Sequence, residues 1–438
     1  MTETTFWAYY GGIIRKTWGK SKWFRVLFII SIVWAALRLI AQIVLAADPV
    51  SSQLSVDLQV YLDAATHFVE RANLYPASLE ILEYHFPYPP PFALLFTIFL
   101  KLPKPVTIFL HMAIHILAYY LLFTRWGKIF NLLRLDKASE TLIRTLPLWF
   151  VFVGFWDDLI YLNIYTIMAL LVTLLIEAIL DENLRWSVVW LTVILLTKPH
   201  FAFAAIIPLF LSRYKFFFKM ILWAIVSYAA ISLFTILVGR PDYVLGQYQD
   251  YFQLLTRLGN DFPWRGPEAG FLGYNHSIKQ IFAFYGGTAG STLTIATVVK
   301  LVLLIPLAVV TIPRLLRPVR QLEQAESWIL EVILLLYLGI FVWLDIVWEA
   351  FLTIVIFGYL LSALRARWQK ILLSCIFVPY AILDAWRLIA YASGSPMITD
   401  AYLQWDYSMY FPIIMIVILT FYVILAARQW PRPARRAG

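Results

Sequence analysis

Residues 24–47 read FRVLFIISIVWAALRLIAQIVLAA. Apart from Arg25, Ser31, Arg38 and Gln42, every position is apolar. A helix rises about 1.5 Å per residue, so a run of this length crosses the ~30 Å hydrocarbon core of a bilayer. With no small-residue cleavage pattern closing it, the run reads as a retained first membrane helix and not as a removed signal. Arg15, Lys16, Lys20, Lys22 and Arg25 lie before or at its start. The following segment, 48–90, carries Asp48, Asp57, Asp63, Glu70, Glu80 and Glu83 against Arg71 alone. Positive charge is retained on the cytoplasmic side of a membrane, which predicts a cytoplasmic N-terminus and an outside segment 48–90.

The same pattern continues to the C-terminus. Basic clusters at 125–144, 213–219, 314–320, 365–370 and 428–436 mark inside turns. Acidic or mixed stretches at 157–158, 240–290, 345–349 and 394–406 alternate with them. Apolar runs predict crossings over 24–47, 91–124, 145–157, 163–180, 186–198, 200–212, 219–239, 292–312, 328–344, 347–365, 371–392 and 410–427. Pro103 and Pro105 break the second run, which predicts a re-entrant piece followed by a crossing. The chain is 62% hydrophobic and 14% charged, where soluble domains are roughly 45–50% apolar and about 25% charged. The expected fold is therefore an all-α polytopic membrane protein, one domain over 1–438 with about a dozen crossings. Two long extracytoplasmic loops, 48–90 and 240–290, stand out from the short connections.

The net charge of +9 and pI near 9.4 would raise nucleic acid as a partner in a soluble protein. Here the basic residues sit between apolar runs, so topology accounts for them and no nucleic-acid partner is expected. Cys375 is the single cysteine, which excludes an internal disulfide and a cysteine metal cluster. His111 and His115 share a helix face but have no evident third ligand, so no metal site is expected.

Several polar residues interrupt this apolar background. In the first loop, Leu58, Tyr61, Leu62, Ala65, Phe68 and Val69 have helical spacing and predict an amphipathic helix over 58–72, lying on the membrane surface. Asp57 sits at its start. It reads either as a helix N-terminal carboxylate, stabilising the dipole by roughly 0.3–1 kcal/mol, or as a general base at the edge of an apolar site. Asn73-Leu74-Tyr75-Pro76 and Tyr84-His85-Phe86-Pro87-Tyr88-Pro89-Pro90-Pro91 form an extended, stiff strip. It serves as a rigid lead into the next helix or as a pocket wall with His85 or Tyr88 pointing inward. Thr197-Lys198-Pro199-His200 places a cation within an apolar stretch, at ~2.5–3.5 kcal/mol if central. Lys198 either snorkels to the surface or faces a phosphate. Asn275-His276-Ser277-Ile278-Lys279 offers an amide, an imidazole and an ammonium at a helix start, as a polar cap or as a phosphate and sugar site. Trp264 and Arg265 lie close by in sequence and suit sugar stacking and phosphate binding. Asp157-Asp158 reads as a solvated turn, Asp384 and Arg387 as an i,i+3 pair, and Arg38, Lys300 and Glu331 as charges within or beside the membrane. There is no phosphate-cradling glycine loop, no Asp-x-Asp pair, no HExxH and no GxSxG.

In their order, Asp57 to Tyr61, Asn73-Leu74-Tyr75-Pro76, Tyr88-Pro89-Pro90-Pro91-Phe92, Lys198-Pro199 and Asn275-His276-Ser277 resemble glycosyltransferase family 87, of the GT-C superfamily of membrane glycosyltransferases. The resemblance implies a GT-C-like helical bundle. It also implies inverting transfer of a hexose, typically mannose, from a polyprenyl-phosphate carrier to a lipid or glycan hydroxyl at the outer face of the plasma (inner) membrane. No nucleotide-sugar, cofactor or metal is implied. Asp57 would be the general base. Tyr61, His85, Tyr88, Asn163, Lys198, His200, Trp264, Arg265, Asn275, His276 and Lys279 would contact substrate. Two departures are visible: Leu162-Asn163 stands where the family usually has Gly-Gln, and His276 replaces a common glutamine. A transporter or flippase of lipid-linked sugar is the main alternative; it predicts inverted repeats and mid-bilayer polar residues, whereas these polar clusters lie in the outside loops.

Overall fold

The computed structural model describes residues 3–47, 56–75, 86–260, 262–269, 272–273, 275–319, 322–348, 350–385 and 396–430. Its first two helices, α1 (Glu3–Lys20) and α2 (Lys22–Ala47), show how the polarity is arranged. On α2 the apolar Ile30, Val33, Leu37, Ile40 and Val44 are exposed, whereas Ser31, Arg38 and Gln42 are buried. In water this arrangement would expose a large apolar face and bury a charge. In a bilayer it is the favourable one: hydrocarbon meets hydrocarbon, and polar groups find partners inside. Arg38 Nε donates to Asp384 Oδ2 at 3.0 Å, and its Nη1 donates to Gln42 Oε1. Asp384 is therefore paired across the fold with Arg38 and not simply along its own helix; Arg387 lies outside the described residues.

The predicted loop helix is α3 (Val56–Glu70). Helix α4 (Pro90–Phe96) continues as a 3-10 turn over Thr97–Lys101, and α5 (Lys104–Leu132) follows. The break falls at the expected prolines: Pro103 caps α5 and Pro105 occupies its first turn, where a missing N–H costs nothing. Next come α6 (Asp136–Arg144), α7 (Leu146–Val151), α8 (Val153–Tyr161) and α9 (Tyr165–Leu180). The chain bends by 115° between the α7–α8 segment and α9. Helix α9 is buried on nearly every side, as a helix apolar all round must be when it lies at the centre. Helix α10 (Leu184–Leu195) packs along it, followed by a 3-10 segment Pro199–Ile206 and α11 (Ile207–Phe210). Then follow α12 (Tyr214–Gly239), α13 (Pro241–Asn260), α14 (Ile278–Gly286) and α15 (Gly290–Leu316). The chain closes with α16 (Leu322–Trp343), α17 (Thr353–Ala363), α18 (Arg367–Ala381) and α19 (Pro396–Gln429).

Among the described residues no strand is present, and α2, α5, α12 and α15 are long and apolar enough to cross a bilayer. The bent α7–α9 unit is a fifth if counted as one span. The other apolar segments, including α10 and α17, are shorter than the ~20 residues of a straight crossing. Length alone therefore supports four or five spans, fewer than the expected dozen. Helix α17 shows why: its residues 353–360 are all buried among neighbouring helices, so its apolar character serves protein packing. The loop 240–290 is largely helical, through α13 and α14.

Candidate active site

Helix α3 places Asp57 in its first turn. Its stripe Leu58, Tyr61, Ala65 and Phe68 is buried as the spacing requires, but the partner is protein: α3 packs on α4 and the 3-10 turn after it. The Tyr61 ring meets Phe92 and Phe96 edge-on, with centroids 5.3 and 5.1 Å apart. Val69, expected on the same apolar face, is exposed. The proline strip delivers Tyr88 onto this aromatic layer, stacked 4.3 Å from Phe92. Tyr75 holds that strip by donating from its hydroxyl to the Tyr88 carbonyl at 2.6 Å.

A second wall comes from the break between α8 and α9. Leu162 is left-handed, with φ 53°, a conformation that a branched residue adopts only when its surroundings enforce it. Here Asp158 accepts from the backbone N–H groups of Tyr165 and Thr166, at 3.2 and 2.8 Å, and so caps α9. The His115 Nε2 hydrogen-bonds to the Asn163 carbonyl and lies 3.4 Å from Asp158 Oδ2. Asp157 and Asp158 are buried, at 3% and 1% exposure, so the expectation of a solvated acidic turn is corrected. The chain reversal turns Asp158 back onto the next helix, where orphan N–H groups need an acceptor. With the break held, Asn163 accepts from the Tyr61 hydroxyl at 3.1 Å and bonds to the Asp57 carboxylate. Tyr61 and Tyr88 join their hydroxyls at 3.1 Å.

Lys198 supplies the third wall. Pro199 ends the helical hydrogen-bonding and starts a 3-10 segment, with Lys198 extended at φ −125°. The lysine does not snorkel to the surface. It is 9% exposed, and its Nζ lies 3.5 Å from the Tyr165 ring centre and 5.6 Å from that of Tyr88.

These walls enclose one cavity of about 440 Å³ lined by Asp57, Tyr61, Tyr88, Asn163, Lys198 and His200, with Tyr165, Thr197, Tyr251, Asp345 and Trp348 completing it. The volume falls within the ~300–1,000 Å³ of ordinary ligand pockets. Asp57 is half-buried, and loss of bulk water raises its carboxyl to about 6, against the opposing pull of Lys198 and the hydrogen bond from Asn163. An acid poised there is mostly ionised at neutral pH and can take a proton from a hydroxyl.

The turn at 275–277 lies behind the wall. Asn275 donates to the Asp345 carbonyl at 2.8 Å and accepts from Val347 N–H at 3.1 Å. His276 N–H donates to the Val347 carbonyl at 2.7 Å. The turn thus fixes the stretch 345–347, of which Asp345 and Ile346 face the cavity. Lys279 pairs with the Asp345 carboxylate at 2.7 Å, and Lys300 pairs with its other oxygen. Burial pushes the His276 imidazole down to about 3, so it is neutral. Trp264 packs at a tilt against Phe262, with ring centroids 4.9 Å apart, and stands 5.9 Å from the Lys279 ammonium. Arg265 exchanges backbone hydrogen bonds with the Gln280 side chain. Asn275, His276, Lys279, Trp264 and Arg265 are not among the residues bordering the cavity, and His85 lies outside the described residues. Among the described residues, no three His, Cys, Asp or Glu side chains are grouped to hold a metal.

The profile of glycosyltransferase family 87 matches residues 86–339, more than half of the chain. The chain belongs to glycosyltransferase family 87. The matched region holds most of the proline strip, Asn163, Lys198 and the 275–277 turn, while Asp57 and Asp345 lie outside it. Curated proteins and solved structures give no match to this glycosyltransferase. Its membership and its apolar helices make it a membrane glycosyltransferase.

Proposed function

We propose that this glycosyltransferase moves a hexose, mannose by likeness to its family, from a polyprenyl-phosphate carrier to a hydroxyl of a lipid or glycan acceptor. The observation that carries the reading is a carboxylate and an ammonium, Asp57 and Lys198, on the walls of one cavity. The acceptor hydroxyl attacks the anomeric carbon from the side of Asp57, and its proton passes to that carboxylate. The new carbon–oxygen bond forms as the bond to phosphate breaks. The bonding pair leaves with the polyprenyl phosphate, which gains one negative charge. Lys198 stabilises that charge where the surrounding protein limits screening by water. One-step displacement inverts the sugar carbon.

The donor arrives through the lipid, so neither a nucleotide-sugar nor another cofactor enters the scheme. The reading places the protein in the plasma membrane as one unit of about a dozen crossings, with both termini in the cytoplasm. Asp57 follows the C-terminal end of α2, and basic residues crowd the N-terminal end of that helix. Under the positive-inside rule the cavity then faces outward.

Reconstitution with radiolabelled polyprenyl-phosphate sugar tests the reading. Transfer of label to a new covalent partner, lost in Asp57→Asn with donor binding retained, is the expected result. Label that crosses the vesicle unchanged identifies a transporter, and near-normal turnover of Asp57→Asn removes the base.

A further inference from the structure

A larger cavity, of about 1010 Å³, lies at the other end of the molecule. On α2 it is bordered by Leu27, Ile30, Ser31 and Trp34, in the half of the helix remote from Asp57. On α17 it is bordered by Phe357, Leu361 and Ser362, whereas Trp348, before that helix, borders the active cavity. Its walls are mainly apolar, and Leu27 and Ile30 belong to the exposed face of α2. The groove therefore opens sideways to lipid.

Its rim has the opposite character. Lys137, Arg144 and Lys370 line the groove with one acid, Glu140. Two smaller hollows share its edges: one adds Lys16 and Lys20, the other Arg367. Glu140 is already engaged by Arg144 at 3.3 Å and by Lys16 at 3.8 Å. Among the described residues neither Lys137 nor Lys370 forms an ion pair. Six cations thus share one carboxylate at the mouth of an apolar slot. Thr141, Thr145 and Ser374 add hydroxyls beside them.

We propose that this groove binds an anionic phospholipid, with its phosphate among Lys137, Arg144 and Lys370 and an acyl chain along Leu27, Ile30 and Trp34. A zwitterionic lipid fills the slot equally well but leaves the rim charge uncompensated. The charge surplus therefore selects the head group and the apolar walls hold the chain. Basic pockets between membrane helices are suited to anionic head groups for this reason. The site is separate from the Asp57 cavity and does not depend on the transfer reaction.

The full chain, solubilised in detergent, is titrated with phosphatidylglycerol or with phosphatidylcholine of matched chains, and bound lipid is counted by native mass spectrometry. The expected result is at least about fivefold preference for phosphatidylglycerol, the order produced by removing one to two screened charge contacts. The triple variant K137Q/R144Q/K370Q is expected to lose that preference. Equal retention of the two lipids by the parent protein overturns the proposal, as does undiminished preference in the triple variant. Should the triple variant fail to fold, the parent is crosslinked to phosphatidylglycerol bearing a photoreactive acyl chain. Adducts concentrated at 27–34, 145–151 and 374–382 support the site. Adducts spread without enrichment over the lipid-facing helix 214–239 overturn it.

Discussion

The Lys198 ammonium lies 3.5 Å from the centre of the Tyr165 ring. Cation and ring face share the cavity with Asp57, so the ring both orients the lysine and spares it full solvation loss. A desolvated cation–π contact is worth up to about 2 kcal/mol. Lys198→Met removes the charge that meets the departing phosphate, and a kcat loss of about 10²–10³ is expected. Tyr165→Phe keeps the ring and should leave turnover near the parent level. Tyr165→Leu should cost about tenfold. Single-turnover transfer of labelled sugar reads all three; a folded Tyr165→Leu with full rate removes the orienting role.

Asp57 sets the pH dependence. Burial raises its carboxyl to about 6, and only the ionised form accepts the acceptor's proton. The rate of transfer under kcat/KM conditions should climb with pH through about 6 and level off above it. Asp57→Glu is expected to retain an acidic limb at reduced rate, whereas Asp57→Asn should give a low, flat profile. An unaltered acidic limb in Asp57→Asn would assign the titration to another group.

The same shift fixes a sign for stability. A carboxyl raised on folding binds its proton more tightly in the native state than in the unfolded one. Its contribution is therefore most favourable below about pH 4, the unfolded range, and is lost as pH rises toward 6. At pH 7.5 the ionised carboxylate opposes folding, so the isosteric Asp57→Asn should unfold at an equal or higher temperature than the parent. A marked fall in Tm, measured in detergent by intrinsic fluorescence, would make Asp57 a structural residue, and the loss of activity would lose its catalytic meaning.

Lys198 stands out locally because a cation interrupts an apolar run, whereas an acid at a helix start follows the ordinary pattern, so Asp57 is singled out as a base only by the family resemblance. Tyr61 followed from the helical stripe and Tyr88 from the stiff proline strip. Asn163 came only from comparison with a family motif, since a lone asparagine carries no local signal. Asp158 and His115 were missed as partners. Their signal, an acid buried before a helix and a histidine on a distant apolar helix, appears only when the reversal at Leu162 brings them together. Asn275 to Ser277 was recognised as a polar cluster, but its contacts run to 345–347, far along the chain. Nothing in local spacing says whether such a cluster touches substrate or holds the residues that border it. Among the described residues length alone separates four or five of the dozen expected crossings, because short apolar runs such as 353–363 bury themselves in protein as readily as in lipid.

Asp345 carries the last prediction. Its carboxylate is the shared partner of Lys279 and Lys300, and the Lys300 side chain is only 3% exposed. Replacing it by asparagine leaves two ammoniums side by side with no counter-charge. Breaking a fully buried pair costs about 3–5 kcal/mol. Because the Asp345 side chain is 23% exposed, water screens part of this, and a loss on the order of 2 kcal/mol is expected for Asp345→Asn. Adding Lys300→Met removes the more buried of the two orphaned cations, so the double variant should recover part of that stability. Such a recovery is a coupling that independent sites do not show. Thermal unfolding of the two single variants and the double variant measures it. Strict additivity would mean that Lys300 and Asp345 do not stabilise the cavity wall through each other.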